Sequence, residues 1–328
     1  MRPRTEQRNG KLDTIDHDVL KTTSKWLSDG EQPWLCSIVH TLGSAPRPVG
    51  SILAVLDNGL QVGSVSGGCV EDDLLEGLRG GRFSGEQPEV IEYGVSAEEN
   101  ERLGLPCGGK LVLLLERLKS DDREWLDHLL ETIDQRRCME RHLDIRTGST
   151  HLQAVERFTE LQYDQERLQH CFGPRMRMLL VGAGQLAQSL AELALAMDYE
   201  VLVTDPRENS LQQWSGPDLQ LCAGMPDDVV RDFADDKHSI VITLTHDPRI
   251  DDMALMEALT TEAWYVGALG SVKTTEKRLK RLKQLDLTDE QINRLHAPVG
   301  LDIGSKTPLE IAVAIMAQLT QQRRKKAD

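Results

Sequence analysis

The sequence contains no apolar run of the roughly 18–20 residues that a membrane-spanning helix needs, so we expect no membrane partner. Its first residues, MRPRTEQRNGKLDTIDHD, lack an apolar core, and we expect no secretory signal. Positively charged residues are also few compared with acidic ones, and the net charge is −15. A surface that follows nucleic-acid phosphates needs an excess of Lys and Arg, so nucleic acid is not an expected partner. A local basic pocket for a phosphorylated small molecule is still open.

Paired cysteines of the CxxC type are absent as well. The six cysteines are scattered along the chain, at Cys36, Cys69, Cys107, Cys138, Cys171 and Cys222. This pattern fits reduced thiols in a cytoplasmic protein better than a disulfide framework. With 328 residues, of which 39% are apolar and 28% charged, the chain predicts two globular domains that can bury cores.

The pattern of the chain changes after Pro174. From about Met176 onward, apolar strands alternate with helices, beginning with a strand over 178–181 and a helix over 186–197. This alternation predicts a Rossmann-type, doubly wound parallel sheet over 176–322. Residues 1–15 predict a disordered tail, and residues 16–170 predict a mixed α/β domain. Within it, 138–174 is the least legible part, for which we expect two edge strands and the linker.

The turn Val181–Gly184 carries the signature of a dinucleotide-binding loop. Gly182 permits the tight turn, Gly184 lets a pyrophosphate approach the backbone, and Ala187 takes the third small position. Asp205 ends the next strand, where a carboxylate can accept hydrogen bonds from ribose. Arg207 follows two residues later, and the sequence does not predict which way its side chain points. The alternative is a Rossmann scaffold that has no working dinucleotide site.

Three glycine-rich loops stand out in the N-terminal half. The loop over 41–50 holds Arg47 between two prolines, as a candidate fork for phosphate or carboxylate or else as a solvated arginine. The other two, over 63–71 and 104–110, each place one thiol beside a Gly-Gly pair. Gly67 and Gly68 precede Cys69, where a following helix would favour the thiolate; Lys110 would act similarly on Cys107. Together they suggest a sulfur-handling or soft-ligand site, and the alternative for each thiol is burial as a small apolar group.

Eight motifs, in this order, resemble the XdhC/CoxI family, the accessory factors of xanthine dehydrogenase and related molybdenum hydroxylases. They are GSAPRPVGS at 43–51, GSVSGGCVEDDL at 63–74, LPCGGK at 105–110, LLVGAGQLAQ at 179–188, TDPR at 204–207, THDPRIDD at 245–252, VGALGSVKTTEKRLKRL at 266–282 and PVGLDIGSKTPLEIAVAIMAQL at 298–319. The resemblance spans most of the chain, with little contribution from 120–170.

The resemblance implies a cytoplasmic chaperone that binds the molybdenum (pterin) cofactor as cargo, assists its sulfuration and inserts it into an apo-hydroxylase. It implies a cysteine desulfurase as a further partner and self-association as a homodimer. Matching the family's motifs, Cys69 and Cys107 are the residues expected to handle sulfur or contact molybdenum. Family members often have His after the GxG turn, where this chain has Gln185, and a changed cofactor contact is expected there.

The loops after two later strands supply further candidate cofactor-binding residues. His246 follows the fourth predicted strand, and Gly270 and Ser271 open a helix after the fifth. The carboxyl ends of parallel strands are where such sheets bind ligands, and a helix N-terminus suits phosphate. The alternative for His246 is a loop-capping role.

Two other functions are compatible with the Rossmann turn. Gly182, Gly184 and Asp205 would also suit an NAD(P)-dependent oxidoreductase of a small metabolite, although the sequence has no obvious Tyr-x-x-x-Lys or His–carboxylate set for hydride transfer. A regulator that only senses a nucleotide is the third candidate.

Overall fold

The computed structural model describes residues 15–42, 47–96, 98 and 109–324. The chain forms two compact units that divide between Pro174 and Arg175. The predicted disordered tail lies outside the described residues except for Ile15, where the first helix begins. Cys107 also lies outside them.

The first unit is built on a five-stranded antiparallel sheet with helices on both faces. Its strands lie in the order β3-β2-β1-β5-β4. The elements are α1 (Ile15–Ser28), β1 (Trp34–Leu42), β2 (Ile52–Val55), β3 (Gln61–Gly63), α2 (Cys69–Arg79), β4 (Glu89–Tyr93), β5 (Lys110–Arg117) and α3 (Asp122–Asp134).

The two faces of this sheet are covered by different helices because alternate strand residues point to opposite sides. Helix α2 packs Val70 and Leu74 into a core with one set of strand side chains, including Cys36. Helices α1 and α3 pack on another core, through residues such as Leu20 and Leu129. The first residue of α2, Cys69, therefore sits at the end of a helix that is fixed by its buried face.

The segment that we expected to hold two edge strands and a linker forms a sheet of its own. Four antiparallel strands lie in the order β7-β6-β9-β8. They are β6 (Cys138–Asp144), β7 (Thr150–Val155), β8 (Gln162–Tyr163) and β9 (Arg167–Phe172). The expectation was wrong because a charged residue interrupts the apolar pattern of β6 at a buried position. This residue, Arg141, is 1% exposed and donates hydrogen bonds to both oxygens of Glu116, at 2.9 and 2.6 Å.

The second unit has the predicted Rossmann-type parallel sheet, which confirms the fold class. Its strands lie in the order β12-β11-β10-β13-β14-β15, and every pair is parallel. The elements are β10 (Arg177–Val181), α4 (Gln185–Ala196), β11 (Glu200–Thr204), α5 (Glu208–Gln212), β12 (Gln220–Cys222), α6 (Pro226–Phe233), β13 (Ser239–Thr243), α7 (Pro248–Ala258), β14 (Tyr265–Ala268), α8 (Val272–Lys283), α9 (Asp289–Asn293), β15 (Leu295–His296) and α10 (Pro308–Arg324). The two-residue β15 was not predicted.

Helices cover both faces of this sheet, so its strands are buried on both sides. One core joins the sheet to α4 and α10, and the other joins it to α6, α7 and α8. The order of the strands reverses beside the central strand β10, between β11 and β13. Ligands of open α/β sheets bind at the carboxyl ends of the strands at such a point.

Among the described residues, no helix combines the length and the apolar character that crossing a membrane requires.

Candidate functional site

The glycine-rich loop before α2 is folded around one buried carboxylate. Glu71, which is 4% exposed, accepts hydrogen bonds from the backbone N–H groups of Val65, Ser66, Gly67 and Gly68, at 2.8–3.1 Å. The hydroxyl groups of Ser64 and Ser66 also donate to it. A side chain of α2 thereby fixes the conformation of the loop that leads into this helix.

The same hydrogen bonds keep Glu71 ionised. Burial favours the neutral carboxyl, but the donors from Ser66, Ser64 and Val65 outweigh it and lower the pKa of Glu71 from its ordinary value of 4.5 to about 2. The loop N–H groups are therefore occupied by the protein's own carboxylate and are not free to bind an external anion.

Above this loop, a thiol and two glycines face open space. Gly67 and Gly68 have φ angles of +93° and +151°, which favour glycine, and a Cβ added at either would meet no atom of the described residues within 4 Å. Cys69, the first residue of α2, is exposed. A ligand can thus approach the thiol and the backbone of both glycines without displacing a side chain of the described residues.

The structure describes only part of the other candidate cofactor-binding residues of the first unit. Arg47 lies in the loop between β1 and β2 and is partly exposed. Cys107, in contrast, lies outside the described residues, as do residues 43–46 of the Arg47 motif.

In the second unit, the turn after β10 has the geometry that its glycines predict. Gly182 has a φ of +114°, and a Cβ at this position would lie 2.9 Å from Cγ2 of Thr245, so a larger residue would collide with the loop after β13. Gly184 directly precedes α4, and a Cβ there would meet no atom within 4 Å in the described part of the chain. The first glycine is needed for packing, and the second leaves room for a ligand.

Asp205 is not available as a free ribose acceptor. It is 1% exposed and accepts four hydrogen bonds: from the N–H of Ala183 at 3.1 Å, and from the N–H, Nε and Nη2 of Arg207 at 3.0, 2.8 and 2.7 Å. Because a carboxylate has about four lone-pair sites, these bonds saturate it. Burial raises the pKa of Asp205, but the bonds from Arg207 and Ala183 outweigh it and lower the pKa overall.

Helices α7 and α8, which follow β13 and β14, are joined by a buried ion pair. Asp251 accepts the hydroxyl of Thr245 at 2.7 Å and Nη2 of Arg278 at 2.8 Å. Arg278 also donates to the carbonyl of Leu269 at 3.0 Å. Both charged side chains are at most 3% exposed. This network holds the rim of the sheet in place from the inside.

The remaining predicted residues lie on this rim. Gln185 is the exposed first residue of α4, and His246 is exposed in the loop after β13. Ser271 caps α8 by accepting the N–H of Thr274, and Gly270 precedes it. The fold thus brings Gly182, Gly184, Gln185, Asp205, His246, Gly270 and Ser271 to the carboxyl edge of one sheet.

Within the part of the chain that the structure describes, no three His, Cys, Asp or Glu side chains are arranged to hold a metal ion.

Comparison with known proteins identifies both units. A model of the XdhC Rossmann domain matches residues 178–319, and a model of the XdhC and CoxI family matches residues 26–94, so the two together match more than half of the chain. The chain belongs to the XdhC and CoxI family. The family match confirms the resemblance that the motifs predicted.

Relatives within the XdhC and CoxI family are similar along almost the whole chain. The molybdenum cofactor insertion chaperone PaoD of Escherichia coli (strain K12) is 28% identical, over 94% of this chain and 90% of its own. A protein of Bacillus subtilis (strain 168) named as a probable subunit of xanthine dehydrogenase is 26% identical, over 92% of this chain and 96% of its own.

A solved structure agrees with the fold. The crystal structure of a protein described as a xanthine dehydrogenase from Bacillus halodurans superimposes with a TM-score of 0.72 at 26% identity, covering 95% of this chain and 97% of that one.

The sequence analysis did not predict the roles of three residues that organise the site. Glu71 is the third residue of α2, a position typical of a capping box, and this spacing was the signal for its role. For Asp251 and Arg278 the chain offers no comparable signal, because they are 27 residues apart and meet only in the folded unit.

Proposed function

We propose that this protein is an insertion chaperone for the molybdenum cofactor, which it binds as cargo and delivers to a molybdenum hydroxylase of the xanthine dehydrogenase type. The observation that carries the proposal is the similarity to PaoD, a molybdenum cofactor insertion chaperone, over nine-tenths or more of both chains. We also propose that residues 16–170 and 176–322 are its two functional domains and that it acts in the cytoplasm.

Cys69 supplies the most direct chemical support. A thiolate is a good ligand for a soft metal centre and a good nucleophile toward sulfur. This thiol is exposed, and the rigid loop around Glu71 presents it beside two glycines that leave the space above them open. We propose that Cys69 contacts the molybdenum or its sulfur ligand and that Cys107 and Arg47 contribute to the same task.

The rim of the Rossmann sheet, taken by itself, is suited to a phosphate-bearing ligand. Open space at Gly184 lets a phosphate approach the start of α4, and Ser271 begins a second helix at the same edge. We propose that Gly182, Gly184, Gln185 and His246 contribute to this binding surface.

An oxidoreductase that uses NAD(P) is the second candidate, because the glycine turn after β10 is also typical of dinucleotide-binding domains. The state of Asp205 weighs against it. A ribose hydroxyl could bind this carboxylate only after Arg207 had moved away, since all four of its acceptor sites are occupied. The arrangement is thus better suited to a ligand that meets the Arg207 side chain, which is 55% exposed.

Cofactor loading tests the proposal. The protein is produced in a host that makes the molybdenum cofactor, purified, and analysed for molybdenum by mass spectrometry and for pterin by fluorescence after oxidation. We expect both to copurify, and we expect Cys69→Ser to lower the loading at least about tenfold, which corresponds to about 1.4 kcal/mol.

Cys222→Ser is the matched control, because this thiol is buried on β12 in the other unit and should not affect loading. Full loading of both Cys69→Ser and Cys107→Ser would refute the assignment of the thiols. Bound NAD(P) with hydride transfer to a metabolite, and no pterin, would instead favour the second candidate.

Three finer steps extend the proposal. We propose that the protein assists the exchange of an oxo for a sulfido ligand on the bound cofactor, that a cysteine desulfurase supplies the sulfur, and that the protein works as a homodimer. Purified desulfurase with labelled cysteine tests the first two by transfer of label to the bound cofactor, and light scattering tests the third.

A further inference from the structure

Two cysteines outside the candidate site lie side by side on one face of the four-stranded sheet. Glu140 on β6 is paired with Cys171 on β9, so Cys138, two residues before Glu140, is the diagonal neighbour of Cys171 on the same face. The two thiols hydrogen-bond to each other. Both residues are only 2% exposed.

A short segment crosses over this pair. Residues 156–161, which we call the strap, connect β7 to β8, and each of them is exposed or partly exposed. The hydroxyl of Thr159 donates to Oε1 of Glu140 at 2.8 Å, and Thr159 also hydrogen-bonds to Cys171. The ring of Phe158, itself 62% exposed, lies 3.8 Å from the position that a Cβ on Gly173 would take. The strap thus shields the thiols from solvent without being buried itself.

The surroundings make the two thiols unequal. The pKa of Cys171 is lowered, first by the hydrogen bond from Cys138 and then by the N–H of Thr159, although burial and the charge of Glu140 act in the opposite direction. The pKa of Cys138 is raised, by its hydrogen bond to Cys171 and by burial. Of the two sulfurs, the one on β9 is therefore the more readily ionised, and a thiol lies beside it on β6. The charged residues of the strap, Glu156, Arg157 and Glu160, are exposed.

The cysteines buried elsewhere do not share this arrangement. Cys36 lies in the core under α2, and Cys222 lies in a core of the Rossmann unit, each among apolar side chains. Burial raises the pKa of both thiols, which keeps them protonated and unreactive. Packing alone accounts for those two, whereas a hydrogen-bonded thiol pair with a further donor above it has the components of a reactive site.

We propose that Cys138 and Cys171 form a dithiol that reacts with hydroperoxides and closes to an intramolecular disulfide. In the first step the Cys171 thiolate attacks one oxygen of the peroxide, the O–O bond breaks, and the products are a sulfenic acid and hydroxide or alkoxide. In the second step the sulfur of Cys138 attacks the sulfenic sulfur, the S–O bond breaks, and the thiol proton leaves with the hydroxyl as water. Two electrons pass from the two sulfurs to the peroxide.

Closing of the bond ties β6 to β9 beneath the strap. The oxidant reaches Cys171 when the strap opens, a local motion that does not require the sheet to unfold.

The tryptic map of the chain makes this bond easy to detect. Cleavage after Arg137 and Arg141 releases Cys138 in the peptide CMER, and cleavage after Arg167 and Arg175 releases Cys171 in LQHCFGPR. The full-length protein is treated with hydrogen peroxide, its remaining thiols are alkylated, and the digest is analysed by mass spectrometry without reduction. We expect a cross-linked peptide that is two hydrogen atoms lighter than the sum of the two, while Cys36 and Cys222 are recovered alkylated.

Two variants separate this chemistry from simple packing. Alkylation of Cys171 in the untreated protein should show a midpoint at a lower pH than that of an ordinary thiol. Cys138→Ala should move the midpoint to higher pH, since the hydrogen bond from Cys138 is lost, and Cys138→Ser should partly restore it because a hydroxyl still donates. Complete alkylation of both peptides after peroxide, or a Cys171 sulfenic acid that persists and never cross-links, would overturn the proposal.

Discussion

Replacing Glu71 by Gln tests whether one carboxylate holds the loop that presents Cys69. The pKa of Glu71 falls from its ordinary value of 4.5 to about 2 in the folded protein. At 1.36 kcal/mol for each pKa unit, ionised Glu71 contributes about 3 kcal/mol to the free energy of unfolding. The pKa is lowered on folding, so this contribution is complete above about pH 4.5 and is lost as the pH falls toward about 2. We therefore expect Glu71→Gln to destabilise the first unit by about 2–3 kcal/mol near pH 7.

The assay is urea unfolding monitored by hydrogen–deuterium exchange of peptides from β1 to α2, which report the first unit alone. Glu89→Gln is the matched control, because Glu89 also accepts hydrogen bonds from a loop, the N–H and hydroxyl of Ser84 and the N–H of Gly85, but is only partly buried. It should cost less than about 1 kcal/mol. Equal losses for the two variants, or a Glu71 effect that does not shrink in acid, would refute the reasoning.

Two further pairs of substitutions test the rim of the Rossmann sheet by thermal unfolding. Gly182→Ala should lower the free energy of unfolding by about 1–3 kcal/mol, since it combines a φ of +114° with a collision at Thr245. Gly184→Ala has a φ of −85° and no described atom nearby, so it should change this free energy by no more than about 0.5 kcal/mol. Similar losses for both variants would contradict the roles given to the two glycines. Arg278→Met should cost about 3–5 kcal/mol because it leaves Asp251 buried and unpaired, and adding Asp251→Asn should recover part of this loss. If the double variant is no more stable than the single one, the ion pair is not the cause.

The Rossmann unit could be predicted from the sequence because its signals are local. Apolar strands buried on both faces give short, continuous apolar runs, and the glycines of the turn are needed for geometric reasons that their spacing expresses. The position of the candidate residues on one edge of the sheet then follows from the parallel strand order.

The small antiparallel sheet of the first unit could not be predicted in this way. Along β6 the buried positions are Cys138, Met139, Arg141 and Leu143, and the arginine interrupts the apolar alternation that identifies a strand. Its partner Glu116 is 25 residues away on β5, so only the folded structure shows that the charge is paired.

The hydrogen-bond partners of Asp205 could not be predicted from the sequence either. The spacing from Gly182 correctly places a carboxylate at the end of β11, but Arg207 can point either toward solvent or back onto that carboxylate. In the structure it folds back, and this changes the ligand that the site suits. Likewise, the pattern before Cys69 predicted a reactive thiol but did not show that Glu71 occupies the surrounding N–H groups.

Transfer of the cofactor tests the central claim most directly. The protein, purified from a host that makes the molybdenum cofactor, is mixed with a cofactor-free molybdenum hydroxylase, and hydroxylase activity is followed together with the molybdenum content of each protein after separation. We predict that molybdenum moves to the hydroxylase, that activity appears in proportion, and that Cys69→Ser delivers much less than Cys222→Ser. A protein that carries no molybdenum or pterin, and that leaves the hydroxylase inactive while an established chaperone activates it, would contradict the account.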